Sequence, residues 1–473
     1  MNTVRFIMAF FFFALPAIHN GALGEEVVYV VNGYTHSIPQ PNWSTVMMLR
    51  GSDLEILQTV TLPAPDARSI ALTPDGTQLW VTCPNGHHLF VIDAQTFEII
   101  DEFDYSDTIN KPMGIAISRD RGEVLVGMHQ DDLVVRFDAE TRKPLVPPLE
   151  AGAEGSFIIF TPDGGRFCLV DQGMSVVKLF RSADRALLRT WNLASPVGLG
   201  DAAMSPDGRY LYVANMGLHR IDRLGLRVPW TVNNYPTEGF LRPRGIDISP
   251  DGVYLFIGHY MGMDSKVTMW HLEPFWARVG SANIPANGRR VVRNKECTRI
   301  YVTEHAEDEC HAYRVNCDEE SIFHNATADL NTIGGYKASP IGIAVGDYTP
   351  LIDLAADKAV YRTTGSISVT ANVSPLRVPC YPFVRVRMAD GSTLYYQQGV
   401  GFTVSPVPYL GFAAGTIMTT EPIMGYPALS ANFSGIPMGT YILEGGAVDM
   451  RRTTSASNLI YFGGVDREKL DVR

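Results

Sequence analysis

The chain reads as an all-β protein, a seven-bladed β-propeller followed by a small β-sandwich, and three observations carry that expectation. A turn-and-strand phrase, clearest as SPDGRYLYVAN from Ser205, recurs along most of the sequence. Its glycines, Gly76, Gly122, Gly164, Gly208 and Gly252, stand 46, 42, 44 and 44 residues apart, the length of one four-stranded blade. The 473 residues are too many for seven such repeats, so a second domain is expected, with the propeller over 25–349 and the sandwich over 350–473.

Residues 1–24 read as a secretory signal: Arg5, an apolar run over 6–18, and Ala22-Leu-Gly24 as a small-residue cleavage site. The run is short for a membrane span, and no later stretch approaches that length, so the mature chain is expected to be soluble and exported, secreted or periplasmic. VVYVVNGY and VMMLRGSDLEILQTVTL then supply three strands that lack an inner partner. Full units begin near Arg68, Met113, Ser156, Gly200, Arg244 and Arg289, and IGIAVGDY from Ile341 looks like an inner strand without its blade. Joining the early strands to that late one makes a seventh, composite blade and closes the ring.

Within the unit from Gly200, residues 201–204 suit an inner strand buried on both faces. Pro206 presets φ and Gly208 supplies the positive φ of the turn that follows. Tyr210 to Ala214 is the apolar central strand, with a third strand around 219–222 and a fourth over 226–232.

The formal charge of −11, dispersed and without a long basic run, argues against nucleic acid or an anionic membrane as partner. The six cysteines form no CxxC or CxxCH motif, so neither covalent haem nor a zinc ribbon is supported. Pairing the strands about a hairpin tip near Glu307 sets Cys297 opposite Cys317, an expected cross-strand disulfide; Cys168 reads as a buried apolar residue.

GIAISRDRGEVLVG, DAAMSPDGRYLYVAN and GIDISPDGVYLFIGH resemble YVTN-type β-propeller repeats of exported bacterial and archaeal proteins, over about 27–348. That resemblance implies the fold. Its superfamily spans surface-layer and binding proteins, lactonase-like enzymes and propeller subunits of periplasmic oxidoreductases, so it does not select an activity. The strands from about Leu351, ending in ANFSGIPMGTYILEGGAV, resemble immunoglobulin-like accessory domains of secreted bacterial proteins.

Blade topology puts the ends of second strands and the starts of inner strands on one face. The first set aligns Asn32, Cys83, Met128, Asp171, Asn215, His259 and Glu304; the second aligns Arg68, Met113, Ser156, Gly200, Arg244, Arg289 and Ile341. Arg68, Arg244 and Arg289, from blades two, six and seven, are expected to form a cationic pocket for an anion, because guanidinium forks match carboxylates. The plain alternative is a wet polar mouth whose arginines pair with acids such as Asp247 or Glu304. Asp171, Asn215, and Tyr34 with Trp43 from a long first-blade insertion, are further candidate ligand contacts. Glu304 with His259 or His305 would be the acid and base of a hydrolase. His259 with Met261, Met263 and Met216 is a weak soft-ligand set, and no metal or cofactor is assigned.

Two functions follow. The leading expectation is an exported propeller that binds a protein partner or small anion on the face of the second-to-third strand loops. The alternative is a periplasmic enzyme, a lactonase-like hydrolase or an oxidoreductase subunit. No nucleophile elbow, phosphate loop or zinc-protease helix is present.

Overall fold

The computed structural model describes residues 25–348 apart from 35–40, 109, 119–121, 153–154, 261–264, 273–275, 285–286, 305–306 and 331–336, and beyond them the backbone of ten strands between 352 and 472. The expected signal segment, His305, Met261 and Met263 lie outside the described residues.

Seven four-stranded antiparallel sheets form a propeller. Blade one joins Pro340–Tyr348 to Glu25–Asn32, Ser44–Arg50 and Ile56–Leu62. Blade two runs Ser69–Leu72, Gln78–Cys83, His88–Asp93, Glu98–Asp104, and blade three Lys111–Ile117, Glu123–His129, Leu133–Asp138, Pro144–Glu150. Blade four is Phe157–Phe160, Arg166–Asp171, Val176–Arg181, Leu187–Asn192. Blade five is Leu199–Met204, Tyr210–Asn215, Arg220–Gly225, Val232–Pro236. Blade six is Pro243–Ile248, Tyr254–His259, Lys266–His271, Ala277–Asn283, and blade seven Gly288–Arg293, Arg299–Glu304, Glu309–Asn316, Ser321–Asp329.

The repeated turn has a chemical cause. Ser205 Oγ donates to Asp207 Oδ1 at 2.7 Å and accepts from Tyr210 N at 2.9 Å, while Asp207 Oδ1 also accepts from Arg209 N at 3.0 Å. Gly208, at φ 65°, completes the loop in a conformation that costs a side-chain-bearing residue. Thr161, Asp163 and Gly164 repeat the device in blade four, and the Thr161 hydroxyl and Gly165 N–H hold Asp163 below the usual carboxylate range. In blade five the fourth strand starts at Val232, later than the spacing suggests, because Val228-Pro229 lies in the connection that follows Gly225.

Blades bury their faces against one another. Trp80 and Phe103 of blade two meet Phe137 of blade three with ring centroids 5.5 and 4.7 Å apart. Such pairs contribute roughly 0.5–1.5 kcal/mol each beyond the area they bury. Blade one is held within itself and to its neighbour. Val28 pairs with Val345 and Val31 with Gly342. Glu26 accepts from Asn294 Nδ2 at 2.6 Å and from the Tyr301 hydroxyl, and the same hydroxyl lies 2.8 Å from Gly51 O.

The disulfide expectation fails. Cys297 and Cys317 are free thiols, hydrogen-bonded to each other rather than joined. The hairpin register pairs Arg299 with Arg314, one residue out from the pairing that would oppose the cysteines, and Cys297 sits in a turn at φ 56°. Cys168 is buried in the core between blades four and five.

After Tyr348, Ile352–Ala356, Ser366–Val373 and Ile423–Asn432 form a three-stranded sheet. A second sheet is built around the antiparallel pairing of Leu376–Arg387, Gly439–Asp449 and Tyr461–Val472. Among the described residues no helix is long and apolar enough to cross a membrane.

Candidate functional site

At the mouth of the central channel the starts of the inner strands surround a cavity of about 70 Å³. Its wall includes Arg68, Arg244 and Arg289 together with Met113, Ser156 and Ile341, one residue from each of six blades. Blade five presents Asp201 where the alignment placed Gly200.

Local irregularity aims these side chains. The pairing of blade six skips Arg244, between Pro243 opposite His259 and Gly245 opposite Gly258. Blade seven skips Arg289 in the same way, between Gly288 and Arg290, and blade one skips Ile341. Each extra residue is a β-bulge, which turns its side chain out of the sheet toward the axis. Close packing fixes the position. A Cβ on Gly200 would lie 2.6 Å from Arg244 O, one on Gly245 2.5 Å from Arg289 O, and one on Gly342 2.5 Å from Arg68 O. Only a residue without Cβ lets each inner strand approach the arginine of the next blade this closely.

The three cations are unequally matched. Arg68 Nε lies 3.0 Å from Asp66 Oδ1, its side chain 38% exposed. Arg244 stacks its guanidinium 4.5 Å above the Tyr260 ring. Neither Arg244 nor Arg289 forms an ion pair among the described residues, and Arg289 Nε is buried with no hydrogen-bond partner there. Burial, and then the charge of Arg244, push Arg289 down to about 9; burial also lowers Arg244. A guanidinium gives up its proton very reluctantly, so an anion is the natural relief for this cluster.

Beneath the mouth, Arg290 Nη1 lies 2.6 Å from Asp201 Oδ2, and its guanidinium stacks 4.4 Å from the Phe157 ring. Burial raises Asp201, and Arg290 opposes that shift. Asp247 is not a partner of the mouth arginines: it accepts from Ile248 N and Arg293 N at 2.8 Å each, and burial pushes it up to about 6.

The second-strand ends play a different part from the one their alignment suggests. Asn32, Cys83, Met128, Asp171, Asn215, His259 and Glu304 are all buried. Three of them cap the next loop by accepting the N–H three residues on: Asp171 Oδ1 from Met174 at 2.9 Å, Asn215 Oδ1 from Leu218 at 3.1 Å, Glu304 Oε2 from Glu307 at 2.6 Å. His259 Nε2 lies 2.9 Å from Thr268 Oγ1, and burial holds its pKa down to about 3. None of these seven lines the arginine cavity. Tyr34 is also a core residue, its hydroxyl 3.2 Å from Thr45 Oγ1 and its ring 4.7 Å from that of half-buried Trp43.

Sequence alignment missed Tyr260, Gln172 and the Arg290–Asp201 pair. Tyr260 directly follows an aligned strand end, so an aromatic one residue beyond that column was the available signal.

No family model and no curated protein sequence matches the chain. Solved structures do. The periplasmic gluconolactonase of Pseudomonas aeruginosa is 15% identical with a TM-score of 0.54, covering 68% of this chain and 100% of its own. A hypothetical selenium-binding protein of Sulfolobus tokodaii is 12% identical at TM-score 0.56, covering 70% and 96%. A functionally unknown protein of Desulfotomaculum acetoxidans is 17% identical at 0.54, covering 68% and 99%. At these identities the likeness is one of fold.

Proposed function

We propose that this protein is a binding propeller that holds an anionic group, a carboxylate or phosphate, on Arg68, Arg244 and Arg289. The observation that carries this reading is the convergence of three guanidiniums on one cavity where, among the described residues, Asp66 alone forms an ion pair with them, the nearby Asp201 being held by Arg290. Holding like charges together costs stability, and an arrangement of that kind is retained where a ligand uses it. Titration calorimetry with succinate and with inorganic phosphate in low-salt buffer tests it. A saturable heat that disappears in the Arg244→Ala/Arg289→Ala double variant is the expected result; no heat with either anion sinks the proposal.

The hydrolase reading borrows from gluconolactonase-named neighbours that share only the fold. Binding is favoured over it because Glu304 and His259 are buried and neither lines the cavity. A YVTN-type propeller over 25–349, an immunoglobulin-like module over 350–473, and export directed by residues 1–24 complete the reading. Sequencing the N-terminus of the protein released by its native host tests the last of these, with Glu25 expected first.

A further inference from the structure

The arginine-lined cavity of about 70 Å³ seats a charged head group. It shares Ser69, Phe157, Asp201 and Arg290 with a second cavity of about 220 Å³, and the body of a ligand held at the mouth can also extend over the surface around it. On one side that surface is apolar. Met174 is 74% exposed, Val197 48%, Leu218 39% and Leu241 47%. Each comes from one of four consecutive loops of blades four to six, all opening on the mouth face.

Those loops form one continuous rim. Ser175 Oγ donates to Ser195 O at 3.3 Å, and Gly217 N donates to Ser195 Oγ at 3.3 Å, which ties the loops of Met174, Val197 and Leu218 together. Arg242 N donates to His219 Nδ1 at 3.1 Å, linking the loop of Leu218 to that of Leu241. Gln172, which lines the cavity, donates from Nε2 to Leu199 O at 2.9 Å and joins rim to mouth.

We propose that the ligand is the carboxyl terminus of a polypeptide, with its terminal carboxylate on Arg68, Arg244 and Arg289 and its last side chains along Met174, Val197, Leu218 and Leu241. The proposal rests on the anion-binding reading and names the class of anion. Charge complementarity fixes one end of the occupant, because a single carboxylate meets a local cationic floor on a chain whose net charge is −11. The character of the rim fixes the rest. Its four apolar side chains stand on four separate loops, with exposed His219 among them, an interrupted surface that suits the spaced side chains of a peptide better than one continuous hydrocarbon tail.

The test uses the full-length protein and three probes: succinate, octanoate, and a synthetic mixture of random seven-residue peptides made both with free and with amidated carboxyl termini. Capture should enrich free-acid peptides with apolar residues in the last four positions, and their amides should be lost. An enriched peptide should bind at least tenfold tighter than succinate. Met174→Ser/Leu218→Ser, which adds no charge, should remove that gain and leave succinate binding unchanged. Peptides no tighter than succinate, acid and amide captured alike, or a rim variant without effect would overturn the proposal while the anion site stands. Octanoate matching the best peptide and sharing its sensitivity to the rim variant would overturn the polypeptide assignment. Failure of every probe, succinate included, would remove the anion reading as well.

Discussion

Arg290 and Asp201 form an ion pair that reaches from blade seven to blade five, 2.6 Å from Nη1 to Oδ2, while the adjacent Arg289 faces the mouth with its Nε unmatched among the described residues. Consecutive arginines thus have opposite parts, one tied into the wall and one offered to the cavity. Asp201→Asn should release Arg290 as a fourth cation. Succinate affinity should rise several-fold, and the protein should lose about 1–3 kcal/mol on chemical denaturation, from a broken, partly solvated pair. A fall in affinity would show that Asp201 serves the ligand rather than restrains it.

Replacing Arg289 should separate binding from stability. Arg289→Gln removes a buried guanidinium placed beside Arg244, so anion affinity should drop at least tenfold while the free protein unfolds at the same temperature or higher. Thermal melts with and without phosphate measure both. A variant that is less stable when free and binds normally would make Arg289 a structural residue.

Asp247 makes stability depend on pH. Burial raises its carboxyl to about 6, above the value of about 3.9 expected in an unfolded chain. A raised carboxyl favours the neutral acid in the fold, so the cost of ionising it is absent below about pH 4, grows between 4 and 6, and is complete above 6. Asp247→Asn should therefore gain on the parent between pH 4 and 7.5 by on the order of 1–3 kcal/mol. Its fixed, pH-independent cost comes from an amide meeting the Arg293 N–H. Denaturation curves for the pair that stay parallel across this range would refute the assignment.

Gly245→Ala tests how the site is held. The new methyl would lie 2.5 Å from Arg289 O, so blade seven must move outward. A loss of about 1–3 kcal/mol in stability, together with weakened succinate binding, is expected. Normal binding in a destabilised variant would show that Arg289 finds its place independently of that contact.

Glu26→Ala removes an acceptor shared by Asn294, Arg299 and the Tyr301 hydroxyl. Stability should fall by about 2–4 kcal/mol, because partly buried donors lose their charged partner. Hydrogen exchange should quicken first in Glu25–Asn32 and Pro340–Tyr348. Uniform quickening around the whole disc would deny this contact a local role.

The repeat itself was legible because its turn depends on three residue types at fixed offsets, a hydroxyl, an aspartate and a glycine, as at Ser205, Asp207 and Gly208. Strand alternation then named the inner-strand starts, and Arg68, Arg244 and Arg289 followed. The bulges were not legible, since an extra residue at Arg244 or Arg289 alters pairing without altering composition. Nor was the burial of Asp171, Asn215 and Glu304: a polar residue that caps its own loop has the same letter as one that meets a ligand. The cysteine pair failed by a single step of register.

Because Glu25–Asn32 pairs with Ser44–Arg50 on one side and finds its other sheet partner in Pro340–Tyr348, ribosomal synthesis must pass beyond residue 340 before both edges of the first strand are satisfied. Until then the nascent chain is an open arc, with Arg68 and Arg289 at its two unsealed ends. Capture of an anion by all three arginines would thus report that translation of the disc is complete, and a truncated product would be silent in the same assay.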